Sequence, residues 1–167
     1  MNLKKLSLIA SLLATTSMAN AAEELVFNVT ASVPENSFYV LSEGGWASNE
    51  QRMTWSESSI ALNDLNRNLL MKNSAGGIKA YLADAATLAT GTSADNIPLK
   101  ITIAGKDIPT GAAGAVEILN STDAATEKKV GMIIAQRDTY TEANRPGAGQ
   151  YDGTITMMFE SDPVVTP

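Results

Sequence analysis

The chain of 167 residues contains neither cysteine nor histidine. Without cysteine no disulfide can hold the fold, so its stability must come from core packing and strand pairing. Without histidine it lacks the commonest ligand for zinc, copper and haem, and the side chain most often used as a base near neutral pH. Any catalysis would have to rest on carboxylates, serine, lysine or tyrosine. No G-x-S-x-G, H-E-x-x-H or EF-hand pattern occurs, and the Gly105-Lys106 pair of AGKDIP lacks both the glycine spacing and the following Ser/Thr of a P-loop. Glu117, Asp123, Glu127 and Asp138 read as solvated surface charges. The residues therefore point away from an enzyme, and they offer no catalytic group, no metal site and no cofactor site.

Basic charge is also scarce: 12 Lys and Arg stand against 18 Asp and Glu, a net charge of -6. That balance disfavours nucleic acid and anionic membrane surfaces as partners. Long apolar runs are missing too. The one stretch of note, Leu6 to Ala14, is too short to span a bilayer, so no direct membrane insertion is expected. Lys4 and Lys5 precede it, and Ala19 and Ala21 follow as an A-x-A site, so residues 1–21 read as a secretory signal peptide cleaved after Ala21. Its removal leaves 10 Lys and Arg against 18 Asp and Glu, a net charge of -8. The expected destination is outside the cytoplasm, through the periplasm to the cell surface.

What is present is strand pattern. In EELVFNVTASVP, Leu25, Phe27, Val29, Ala31 and Val33 share one face, while Asn28, Thr30 and Ser32 give the other a polar character. Pro34 lacks an N–H and closes the segment, and the polar residues after it form a hinge, so residues 22–33 are separable from a body of residues 34–167. Within the body, short alternating runs are expected as strands at Gln51 to Trp55, Arg67 to Lys72, Ile78 to Ala83, Leu99 to Gly105, Lys129 to Gln136 and Gln150 to Glu160. Turn-forming clusters separate them, and this punctuation argues for an all-β sandwich. LADAATLATG has the length of a brief helical turn but a composition that does not favour one. In the closing run, Tyr151, Gly153, Ile155, Met157 and Phe159 alternate with Asp152, Thr154, Thr156 and Met158. An ordinary core strand has the same pattern, and the opening run equally fits the first strand of its own sheet; where no final strand lies beside the closing run, an open edge and groove remain, complementary to a spare strand at the front of another copy.

Four stretches carry a resemblance to a known family: NVTASVP; IALNDLNRNLLMKNSAGGIKAYLADAATL; NIPLKITIAGKDIPT; and VGMIIAQRDTYTEANRPGAGQYDGTITMMF. In this order they resemble the alpha-class (class 5) chaperone-usher fimbrial major subunits, the colonisation factor antigen I type of pilin. The resemblance implies an incomplete immunoglobulin-like β-sandwich with an amino-terminal donor strand. Its groove is filled first by a periplasmic chaperone and later by the extension of the neighbouring subunit. It implies that Leu25, Phe27, Val29, Ala31 and Val33 are the donor positions, and that Tyr151, Gly153, Ile155, Met157 and Phe159 border the groove and meet the chaperone. Further implied partners are identical subunits joined head to tail, an outer-membrane usher and a minor tip adhesin. The closing SDPVVTP extends past the usual end of such subunits. Tip adhesins of this family are larger two-domain chains, which favours the stalk-forming subunit here.

The residues alone leave one alternative open, a monomeric secreted carbohydrate- or protein-binding sandwich with Trp46, Trp55, Tyr39 or Tyr140 as a stacking platform. For that purpose Trp46, between EGG and ASN, is expected in an exposed loop, and Trp55 in the core. The leader can be tested on its own. Amino-terminal sequencing of the exported protein is expected to read AEELV from Ala22, and an intact Met1 terminus would overturn the assignment.

Overall fold

The computed structural model describes residues 28–31, 37–91 and 95–163. The chain divides into two compact units, Met1–Val33 and Pro34–Pro167. Of the first, Asn28 to Ala31 are described: they form no strand or helix and are exposed, Val29 to 80%. Leu25, Phe27, Val33 and the Pro34 hinge, like Ala21, lie outside the described residues.

The second unit is built from eleven strands among the described residues: β1 (Phe38–Ser42), β2 (Trp55–Ser56), β3 (Ala61–Leu62), β4 (Leu65–Asn73), β5 (Gly76–Leu82), β6 (Thr87–Ala89), β7 (Asn96–Ile103), β8 (Lys106–Asp107), β9 (Val116–Leu119), β10 (Lys128–Gln136) and β11 (Met157–Pro163). The single α-helical turn among them, Ser121–Ala124, is capped by Asn120, whose Oδ1 accepts from the Asp123 N–H at 2.8 Å. The larger sheet runs β1-β4-β10-β7-β6, with β8 pairing β7. A three-stranded sheet runs β11-β5-β9, and β2 pairs β3.

Strict period-2 alternation decides which face of each strand is buried. Leu69 and Met71 of β4, Ile97, Leu99, Ile101 and Ile103 of β7, and Val130, Met132 and Ile134 of β10 form the inner face of the larger sheet. Ile78, Ala80 and Leu82 of β5 and Ile118 of β9 are buried in the same core, and Met157 and Phe159 of β11 pack against it. The fold is thus an all-β, immunoglobulin-like sandwich held by aliphatic packing, as the lack of cysteine requires.

Two local expectations differ from what is seen. Gln51 to Thr54 form no strand, and only Trp55–Ser56 pairs. The closing strand begins at Met157 rather than Gln150; before it, Asp152 makes an isolated bridge to Ala89. Thr87 to Ala89, inside the run whose marginal length and Thr content disfavour a helical turn, pair with β7. β-Branched and backbone-pairing demands outweigh a helix too short to nucleate alone.

The end of β11 is fixed to the β4–β5 turn. Asn73, 1% exposed, donates from Nδ2 to the Gly77 carbonyl at 2.7 Å and to Ser161 Oγ at 2.8 Å, and its Oδ1 accepts from the Ala75 N–H at 3.0 Å. Lys79 Nζ lies 2.9 Å from Asp162 Oδ1. The approach depends on Gly76, where a Cβ would stand 2.0 Å from the Asp162 carbonyl oxygen. Gly76→Ala is therefore expected to detach Ser161 to Pro163 and to cost about 1–3 kcal/mol of stability in urea unfolding, in the range of overpacked sites. An unchanged midpoint would show that this approach carries no weight.

Candidate functional site

The three strands β11, β5 and β9 face a larger sheet, and near Leu65, Ile97 and Ile134 two segments without strand pairing take the place of a covering strand. One is Trp46 to Thr54 and the other Arg145 to Thr156, the latter unpaired apart from the isolated bridge of Asp152 to Ala89; between them lies a cleft of about 940 Å³. Its floor is aliphatic, with Leu99 and Ile101 from β7, Met132 and Ile134 from β10, and Leu62 and Leu65 nearby.

Each wall is held in place by hydrogen bonds of its own residues. In the first, Trp46 Nε1 donates to the Asn68 carbonyl at 2.8 Å, Gln51 Nε2 donates to the Trp46 carbonyl at 2.7 Å, and Arg67 Nε donates to Gln51 Oε1 at 2.6 Å. Trp46 is thus half-buried and packed on the core, a correction to the exposed-loop expectation. In the second, Asp152 and Ala89 exchange two backbone hydrogen bonds of 2.9 Å, Thr156 accepts from the Ala83 N–H at 2.9 Å, and Tyr151 donates its hydroxyl to the Gly147 carbonyl at 2.8 Å. Gly153 has to be glycine, because a Cβ there would stand 2.3 Å from the Thr87 carbonyl oxygen.

The mouth is charged and aromatic. Arg145 stacks over Trp55 at 5.4 Å, with Tyr140 6.5 Å from Trp55 between ring centroids. Arg145 Nη1 also reaches Glu57 at 2.9 Å and Glu142 at 3.4 Å. The hydrogen bond from Arg145 holds the Glu57 carboxyl below its ordinary range, and the same bond raises the guanidinium. Desolvation by burial pushes the Tyr140 and Tyr151 phenols up. The cation covers Trp55, so that face is not a free stacking platform.

Among the described residues no group of three His, Cys, Asp or Glu side chains could hold a metal. What the cleft offers is backbone. Glu50 to Met53 on one wall, and Gly153 to Ile155 on the other, make no main-chain hydrogen bond to any other described backbone. Two stretches of main chain without ladder partners over an apolar floor match the needs of one extended chain: hydrogen-bond partners on its sides and aliphatic contact below.

Of the closing-strand residues singled out from the sequence, Tyr151, Gly153, Ile155 and Met157 line the cleft, while Phe159 lies further along β11, partly buried against the core. Val29 and Ala31 are exposed in the first unit. The wall around Gln51 and Met53, and the β7 floor, were not singled out; the apolar alternation of NIPLKITI marks the floor only as core, since a floor and a core strand have the same pattern.

Residues 23–160 match the model of the CS1 type fimbrial major subunit. The chain belongs to this family of fimbrial major subunits. Eight solved chains match it, among them the CooA pilin subunit from enterotoxigenic Escherichia coli, at 19% identity and a TM-score of 0.60, over 74% of this chain and 86% of that one. No curated protein matches. As a fimbrial major subunit the protein is a structural building block of a surface pilus that polymerises with identical subunits, and no helix among its described residues is long and apolar enough to cross a membrane. The family match ends at residue 160, whereas β11 of this pilin runs on to Pro163.

The second wall depends on Gly153. Gly153→Ala is expected to push that wall off β6 and to speed amide exchange at Ala89 and Asp152 about tenfold or more, a change of about 1.4 kcal/mol in local opening. Exchange in β4 and β10 should stay as it was; unchanged rates at Ala89 would contradict the packing argument.

Proposed function

We propose that this fimbrial major subunit polymerises by donor-strand complementation, its own residues 22–33 filling the cleft of the next copy. In this reading residues 1–21 are the signal peptide, removed after Ala21, and residues 34–167 are the pilin body. Leu25, Phe27, Val29, Ala31 and Val33 point into the neighbour's cleft, and Tyr151, Gly153, Ile155, Met157 and Phe159 border it. The observation that carries the reading is the pair of unpaired backbone walls over the aliphatic floor.

The energetics are adequate without a cofactor or chemical step. Burying Leu25, Phe27, Val29 and Val33 contributes about 1.5–3 kcal/mol each, roughly 6–12 kcal/mol gross before ordering costs. Ladder hydrogen bonds fix direction and register more than they add net energy. Donor and cleft are different surfaces of one molecule, so the contact is head to tail and extends into a filament unless its rotation closes a ring. Before assembly the same open edge would aggregate, so a periplasmic chaperone strand occupies it, and an outer-membrane usher hands the subunit on beneath a minor tip adhesin.

Val29→Asp places a carboxylate in the neighbour's apolar floor and is expected to abolish the ladder of multimers seen without boiling, while chaperone capture persists. Deleting Glu23 to Val33 is expected to do the same. A normal ladder from either variant overturns the reading.

A further inference from the structure

The cleft's lining stops at Met157 on β11, and the structure holds a second apolar surface further along that strand's open edge. β11 pairs β5 on one side and has no strand partner on the other among the described residues. Met157, at the start of β11, lines the cleft; Ser161, four residues on, bonds to Asn73 at 2.8 Å. Asn73 pairs in register with Phe38 of β1. The open edge of β11 thus leads from the cleft to the neighbourhood of Phe38.

Phe38 is anomalous for its side of the strand. Val40, two residues on, packs against the core, and Asn73 opposite is buried, so alternation directs Phe38 to the inner face of the sheet. Yet it is 44% exposed. Leu41, 55% exposed, has the opposite parity, pairs with Leu70, and belongs to the outer face. An inward aromatic that stays wet marks a place where the sandwich lacks its covering element.

Chain length indicates the cover. Gly153 to Ser161 is nine residues, about 30 Å when extended, and Glu23 to Val33 is eleven residues, about 36 Å. One strand of that length laid on the open edge fills the cleft and still reaches Phe38.

We propose that Phe38 is the far seat of the acceptor groove, covered on assembly by one end of residues 23–33 of a second copy. This rests on the strand-donation reading above, and the experiment separates the two. Hydroxyl-radical footprinting compares full-length polymer with full-length Val29→Asp subunits freed of chaperone and kept dilute enough to stay monomeric, and those subunits with and without a synthetic peptide of residues 23–33. Met157 reports on the cleft and Phe38 on the far seat. The expected result is at least fivefold protection of both residues, in the polymer and by the peptide. Protection of Met157 with Phe38 unchanged overturns the far seat and leaves strand donation standing. Protection of Phe38 in the polymer but not by the peptide also overturns it, because another surface of the neighbour is then the cover. Protection of neither residue overturns both readings. A Phe38→Ser polymer, whose substitution lies at an exposed site, is expected to form and then dissociate about tenfold faster; an unchanged rate counts against the seat.

Discussion

A backbone with no ladder partner beside an aliphatic floor is the constraint from which the other features of this subunit follow. Main-chain N–H and C=O groups must be paired or solvated, and apolar side chains are driven to be covered. The main chain of Glu50–Met53 and of Gly153–Ile155 has no ladder partner among the described residues, and an aliphatic floor lies between the two. A small sheet of three strands cannot cover the whole of a larger one, and the cleft left beside it is where the strand donation we propose seats a second copy.

The rest of the body keeps that opening from collapsing. With no disulfide available, rigidity comes from interdigitated Ile, Leu, Val and Met side chains on β4, β5, β7 and β10, and from polar clamps that tie the cleft walls to neighbouring strands. Trp46 on Asn68 and Gln51 on Arg67 hold one wall; the Asp152–Ala89 exchange holds the other. Asn73 secures the far end of β11, so the edge strand stays in register although Met157, Met158 and Phe159 are all apolar. Without that fixing, a one-residue slip would exchange Met158 for its neighbours at the core and turn Glu160 inward. A preformed wall also reduces the ordering cost of assembly.

Much of the sandwich was legible because alternation is a local property. Leu69 with Met71, Leu99 with Ile101, and Met132 with Ile134 announce buried faces in the sequence itself, and the four quoted stretches carried the family resemblance. The walls were harder to read. Gln51 to Trp55 looks like a strand by composition but has no partner for most of its length, and whether a run is paired depends on sequence-distant segments. Tyr151 to Thr156 shows the same alternation as Met157 to Phe159, yet only the latter joins β5. Trp46 gave no periodic signal at all, since its burial depends on one carbonyl of β4. Ser161 to Pro163 read as a tail because the glycines that receive them are about 85 residues earlier in the chain.

The most direct test of the central claim is solid-state NMR on fibres assembled from an equal mixture of 15N-labelled and 13C-labelled subunits, in which only contacts between copies give nitrogen–carbon correlations. Strand donation predicts correlations from the amide nitrogens of Asn28, Val29 and Thr30 to the carbonyl carbons of Gly153 to Ile155 in the other copy. Well-ordered fibres in which those correlations are absent, with residues 28–30 showing only contacts within their own chain, would contradict the account.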